Sequence, residues 1–225
     1  MLHKNHSSSP LHVSPQPSLK IGKSEHTRTA ILNAALDFIW SHPFRDLTVQ
    51  SLMASTGVGR SAFYQYFKDL HEVMNTLLLM LQGEIFDAAK PWITGVGDPV
   101  VLMNEAIAGL VQIAYHGGPI YRAFLDAAAT DDQSEKAWRH FLDGFDDAAC
   151  ARIEADQKQG LIPDINVRPV AMALNRLDAY TLIEAFGQHP RNEPEPVREA
   201  LARIWVSILY GSEFIRSGSS NLVRT

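Results

Sequence analysis

The sequence predicts an all-α protein of about nine helices, and three observations carry that reading. Apolar residues recur every three or four positions in one stretch after another, the spacing that places them on one helical face. No stretch alternates apolar and polar residues with the period of two that a half-buried strand requires. Proline and glycine punctuate the periodic stretches, at Gly57, Pro91, Gly160, Pro163, Pro190 and Pro194.

The elements follow in order. Residues 1–22 are rich in Ser, Pro, His and Gln without periodicity, which predicts a disordered arm. Gly22-Lys23-Ser24 matches the end of a phosphate-binding loop, but position 17 is proline where such a loop needs glycine. A first helix runs from about Ser24, a candidate N-cap, to Ser41, with Ile31, Ala35, Phe38 and Ile39 as its apolar stripe. His42-Pro43 ends it. Thr48 caps a second, short helix carrying Val49, Leu52 and Met53, and Gly57 closes it in the left-handed conformation. A third short helix spans about Arg60 to Phe67. Asp69 opens a long fourth helix through Leu77, Leu81, Ile85 and Ala89 to Pro91.

Asp98-Pro99 starts a fifth helix that reaches about His116, because proline suits the first helical position. Gly117-Gly118-Pro119 reads as a break. Four more helices are expected at about Pro119–Ala129, Asp132–Gln159, Arg168–Gly187 and Glu195–Ser217, with a flexible tail over 218–225. The expected organisation is a small unit at 23–70 and a larger one at 71–217.

Composition bounds the function. Hydrophobic residues make up 46% of the 225, ample for a buried core. The single cysteine, Cys150, allows no disulfide within the chain and fits a reducing cytoplasm. No run of about 18 apolar residues predicts a membrane span, and residues 1–20 lack the apolar region of a secretory signal. Net charge is −5, but residues 1–70 carry seven Lys/Arg against four acids, +3, leaving −8 on the remainder. A basic head on an acidic body is the asymmetry expected where one end meets phosphate.

The stretch from Leu47 to Phe67 places two short helices across a tight Gly57-Val58 turn, with Leu52, Met53, Val58, Phe63 and Phe67 as the core between them. That is the pattern of a helix-turn-helix, whose second helix lies in a major groove. Arg60, Ser61, Tyr64, Gln65, Tyr66 and Lys68 then offer hydrogen-bond donors. Arg pairs with guanine and Gln with adenine in bidentate fashion, whereas Tyr64, Tyr66 and Lys68 suit phosphate oxygens. Thr48 stands at a helix N-terminus, where hydroxyl, backbone N–H and dipole favour an anion. Solvated residues on an ordinary amphipathic hairpin are the alternative.

At Ala30-Ile31-Leu32-Asn33-Ala34-Ala35, Leu47-Thr48-Val49, Gly57-Val58 and Phe63-Tyr64-Gln65-Tyr66-Phe67 the chain resembles the TetR family of repressors. It departs from that pattern at Gly59, where the family has a capping Ser; at Ala62, where the family has Thr; and at Leu70, where the family has Lys. Ala62 leaves an apolar surface for a thymine methyl, and Lys68 stands in for the missing lysine.

The second half resembles the ethionamide-resistance repressor subgroup at Ala173-Leu174-Asn175, Thr181-Leu182, Ala185-Phe186 and Ile204 to Gly211. The resemblance implies a ligand channel with Asn175 as its polar contact and Met103, Ile107, Leu110, Phe145, Ile183 and Trp205 on its walls. Asp178 replaces a second polar asparagine of that subgroup. A carboxyl there either rises in pKa and stays neutral or pairs with a cationic ligand. On the residues alone, Asn175 is equally a structural amide bonding a neighbouring backbone, and Met103, Ile107, Phe145 and Trp205 read as plain core before they read as a ligand wall. Trp92 is a candidate cap for the pocket.

The last two helices are apolar on more than one face, with Leu201, Ile204, Ile208 and Ile215 on one side and Val197, Trp205, Leu209 and Phe214 elsewhere. The resemblance implies that they form a four-helix dimer interface. The partners expected are thus double-stranded operator DNA, a small hydrophobic effector and a second copy of the chain, with no cofactor and no metal.

An enzyme is the rival class. No Glu-x-x-His tetrad, Gly-x-Ser-x-Gly or close His/Cys metal spacing occurs. His3, His6 and His12 read as solvated. Asp143, Asp146 and Asp147 read as a solvated acidic face, and Cys150 as packing. The remaining alternative is a helical ligand-binding or protein-interaction module without operator binding.

Overall fold

The structure, a computed structural model, describes residues 23–129 and 131–211. The expected arm at 1–22, the tail at 218–225 and residues 212–217 of the last helix, Phe214 and Ile215 among them, lie outside the described residues. Eight α-helices account for nearly all of the rest: α1 (Lys23–Ser41), α2 (Val49–Thr56), α3 (Arg60–Tyr66), α4 (Leu70–Thr94), α5 (Pro99–Ala128), α6 (Asp132–Lys158), α7 (Val167–Phe186) and α8 (Pro194–Leu209). A 3₁₀ turn at Phe44–Asp46, which the periodicity does not predict, joins α1 to α2.

Starts and stops follow local chemistry. Thr48 caps α2 by accepting from the Ser51 N–H at 3.0 Å, and the Ser51 hydroxyl oxygen accepts in turn from the Thr48 N–H at 3.1 Å. Gly57 ends α2 at φ +70°, a conformation costly for any residue with a Cβ. Asp69 caps α4, Asp98 caps α5 and Asp131 caps α6, each accepting backbone N–H groups of the first turn. Gly59 precedes α3 with no side-chain cap, as the missing serine leads one to expect.

The all-α class holds, with one helix fewer than the periodicity suggests because the expected fifth and sixth are fused in α5. Gly117, Gly118 and Pro119 sit inside that helix and are buried. Proline removes the N–H that binds the carbonyl four residues back, here Tyr115. Arg191, in the turn between α7 and α8, supplies the substitute: its Nη1 donates to the Tyr115 carbonyl at 2.6 Å, and its guanidinium lies 3.8 Å from the Tyr115 ring centroid. Gly118 is there for contact. A Cβ on it would lie 2.3 Å from the Phe186 carbonyl at the end of α7. Pro91 is likewise inside a helix, and α4 runs on to Thr94.

α5 is the hub, packing on α4, α6, α7, α8 and α1. α2 and α3 pack with α1 at one end of the molecule, around the buried Ile31, Ile39, Leu52, Met53, Phe63 and Phe67. α1 is held to α5 by Arg122, whose Nη2 donates to the Ile39 carbonyl at 3.1 Å. Leu201, Trp205 and Leu209 form the inner face of α8, at i, i+4 and i+8, while Ile208 is 46% exposed and Ile204 half-buried. Leu201 thus belongs with Trp205 on the core side and not with Ile204 and Ile208.

Candidate nucleic-acid interface and candidate ligand cavity

α3 is anchored by one face and open on the other. Phe63 is fully buried, with Phe67 at 6.0 Å and Tyr64 edge-on at 5.3 Å, ring centroid to ring centroid. Arg28 of α1 lies over the Phe67 ring at 5.2 Å. Those contacts leave Arg60, Ser61, Tyr64, Gln65 and Lys68 exposed, Tyr64 by 57%. At i, i+1, i+4 and i+5, the first four share one face of the helix. Tyr66 is set apart from them: it is half-buried and packs on the core. Ala62 is half-buried against the same core. Thr48 is exposed, but its hydroxyl already serves the α2 cap. Gln50 and Ser51 in the first turn of α2, and Arg45, are also exposed. The sequence reading does not single out these three, because outside the third helix it weighs only the capping position Thr48.

The second site is internal. A cavity of about 60 Å³ is lined by α4 (Ile85, Ala89, Trp92, Ile93), α5 (Met103, Ala106, Ile107, Leu110), α6 (Phe145, Ala148, Ala149), α7 (Asn175, Asp178) and α8 (Trp205). A second, of about 50 Å³, shares Ile85, Leu110, Phe145, Asn175 and Asp178 with it and extends past Tyr121, Phe141, Leu142, Ala179 and Leu182. Met103, Ile107, Leu110, Phe145, Asn175, Asp178 and Trp205 therefore meet in one place. Ile183 lines neither cavity; it lies half-buried, one position past Leu182, which turns inward. Trp92 is on the wall. The volumes hold a few water molecules, against at least about 300 Å³ for a drug-sized molecule. Phe145 stacks on Phe86 at 4.5 Å and meets Phe141 edge-on at 5.1 Å. It borders both cavities, as do Ile85, Leu110, Asn175 and Asp178.

Three buried aspartates surround this region. Asp146, with no exposure, receives Arg176 Nη1 at 2.6 Å on each oxygen and Asn175 Nδ2 at 2.8 Å. It is not part of a solvated acidic face: it shares helical spacing with Leu142, Ala149 and Ile153, all buried. Asp147 is exposed and pairs with Arg168. The Asn175 amide thus has an internal partner, a carboxylate on α6 in place of a backbone group.

Asp156 receives Arg152 Nε at 2.9 Å and the Tyr210 hydroxyl at 2.9 Å, and that hydroxyl accepts from Trp92 Nε1 at 2.8 Å. Arg152 also donates to the Gly95 carbonyl at 2.9 Å. This chain ties the end of α4 to α6 and α8. Asp178, 6% exposed, accepts from Trp205 Nε1 at 3.0 and 2.9 Å. Burial pushes its carboxyl up to about 7, and the indole bond only partly offsets that. Burial together with the Asp178 charge raises the Tyr121 phenol. Apart from the i,i+4 pair of Arg152 and Asp156, these partners lie at least 27 residues apart, and no local pattern marks them.

Among the described residues no three His, Cys, Asp or Glu side chains gather as a metal site, and no helix is long and apolar enough to cross a membrane. Cys150 is a half-buried free thiol, its pKa raised by burial.

Comparison with known proteins gives two family matches. Residues 31–73 match the model of bacterial regulatory proteins of the tetR family, and residues 103–211 match the C-terminal domain of the transcriptional regulator EthR. The HTH-type transcriptional regulator EthR of Mycobacterium tuberculosis is 26% identical over 186 residues, covering 81% of this chain and 86% of that protein. Among solved structures, GusR of Salmonella enterica superposes with a TM-score of 0.68 at 16% identity, covering 85% of this chain and 99% of its own. The TetR-family regulator PfmR of Thermus thermophilus gives 0.66 at 17% identity, covering 82% and 96%.

Proposed function

Since the chain belongs to the TetR family of transcriptional regulators, close to the EthR group, we propose that it is a cytoplasmic repressor that holds operator DNA as a homodimer and leaves it when a small apolar ligand occupies the cavity. The observation that carries this is that one helix, α4, runs from the end of the reading head to the cavity wall. α4 begins beside α3, where Asp69 caps it, and its last turns supply Ile85, Ala89, Trp92 and Ile93 to the cavity wall. At 1.5 Å per residue, Leu70 and Ile85 are about 22 Å apart along a single rigid element. A ligand that widens the cavity displaces that wall and swings the reading head.

Arg60, Ser61 and Gln65 then address base edges, while Thr48, Tyr64, Tyr66 and Lys68 serve phosphate or the seating of the helix. A coupling of about 1–3 kcal/mol between the sites is enough to loosen DNA measurably, and it acts equally in both directions. The dimer face supported by exposure is the outer side of α7 and α8. Met172, Tyr180 and Ile208 are 39%, 52% and 46% exposed there, with Ile204 and Val197 half-buried beside them. Pairing that face places two copies of α3 at a fixed separation, the requirement for neighbouring major grooves.

The test uses duplex DNA from the region upstream of the protein's own gene, with mass per complex read by sedimentation. Two chains per duplex, displaced by added decanol, is the expected result. One chain per duplex, or no complex in low salt, overturns the proposal.

A further inference from the structure

We propose that the cavity selects a cationic amphiphile, an alkylamine or quaternary ammonium whose charged head meets Asp178 while its chain lies along the apolar walls. The inference rests on the ligand cavity argued above and refines its occupant from a plain apolar molecule to an apolar chain that carries a cationic head. Three aspartates are buried in the described structure, and two of them have a guanidinium: Arg176 on Asp146 and Arg152 on Asp156. Asp178 has none. Its two oxygens, with about four lone-pair sites between them, share a single neutral indole N–H.

Asp178 is also the one of the three that lines both cavities, and neither cavity has a lysine, arginine or histidine on its wall. A buried carboxylate without a cation is expensive, and a bound cation removes that cost. A carboxylate ligand would meet like charge and no donor of opposite charge. The surroundings favour an ammonium as well. Trp205 holds the carboxylate, the Trp92 ring stands edge-on to the Trp205 ring at 5.5 Å between centroids, and Phe145 borders the same space, so aromatic rings surround the place of the head group.

The experiment titrates the full chain with decylamine, decanol and decanoic acid at pH 7.5, calorimetrically, and repeats the series with Asp178→Asn and with Ala148→Leu, which fills the cavity from α6. Decylamine is expected to bind at least about tenfold more tightly than decanol, with decanoate weakest. In Asp178→Asn that advantage disappears, the affinities for decylamine and decanol coming within about threefold of each other; circular dichroism confirms the fold of each variant. Ala148→Leu weakens all three ligands. If decanol equals decylamine, or the amine preference survives in Asp178→Asn, the cavity takes ligands but the cationic assignment is wrong. If none of the three binds, the ligand-cavity reading falls and the assignment falls with it.

Discussion

The helix-turn-helix head and the proposed sensor body are built on opposite principles. In the head, the candidate contacts lie within one stretch from Thr48 to Lys68, are mostly exposed, and are held by short-range devices: a Thr48–Ser51 cap, a left-handed Gly57 and a Phe63–Phe67 anchor. In the body, the candidate contacts come from five helices between Ile85 and Trp205, are largely buried, and are held by polar pairs that join one helix to another. A head built this way changes its specificity through surface substitutions that leave stability alone. The body has no such freedom, because its ligand-facing residues also carry the core.

This contrast can be broken in order of expected effect. The double substitution Arg60→Ala and Gln65→Ala removes the two proposed bidentate readers and is expected to cost about 4 kcal/mol of operator affinity by fluorescence anisotropy. The urea midpoint should barely move, because surface changes stay within about 0.5 kcal/mol. A large loss of stability there would show that the head is not the separable surface described. Asp146→Ala should do the reverse. It leaves Arg176 facing an uncompensated site and is expected to lower stability by about 3 kcal/mol in urea, with operator affinity retained at a temperature where the variant is folded.

Asp178→Asn sharpens the comparison further. The carboxyl titrates near 7 in the fold against an ordinary 3.8. The fold therefore binds this proton more tightly than the open chain does, so its contribution to stability is greatest below pH 4 and is lost as pH rises through 7. The variant should gain on the order of 2 kcal/mol at pH 8, less than the full linkage because the new amide has N–H groups to satisfy. It should also flatten the pH dependence of the melting temperature between pH 5 and 8. Unchanged pH dependence would mean that Asp178 stays ionised. Smallest is Gly59→Ser, which supplies the missing cap to α3. At φ −62°, with the nearest neighbour of a Cβ the Ser61 Oγ at 4.0 Å, the site accepts it, and a few tenths of a kcal/mol is the expected gain.

The same contrast explains what the sequence revealed. Caps, the Gly57 turn and the amphipathic faces were legible because each depends on neighbours within four residues. The fusion of the expected fifth and sixth helices was not. Gly117-Gly118-Pro119 reads as a break until Arg191, 76 residues from Tyr115, satisfies the freed carbonyl and Phe186 packs on Gly118. Asp146 looked solvated because its burial depends on Arg176 of another helix. Tyr66 looked like one more donor, and only the packing around Phe63 shows which way it faces. Seven cavity positions came from resemblance to a family, and periodicity alone did not separate them from ordinary core.

The most direct measurement is the salt dependence of binding between the purified chain and duplex DNA from its own upstream region. Two reading heads, each seated on phosphates, predict a slope of log affinity against log salt of about −4 or steeper. A slope near zero, or no complex at about 50 mM salt, would contradict the account at its root.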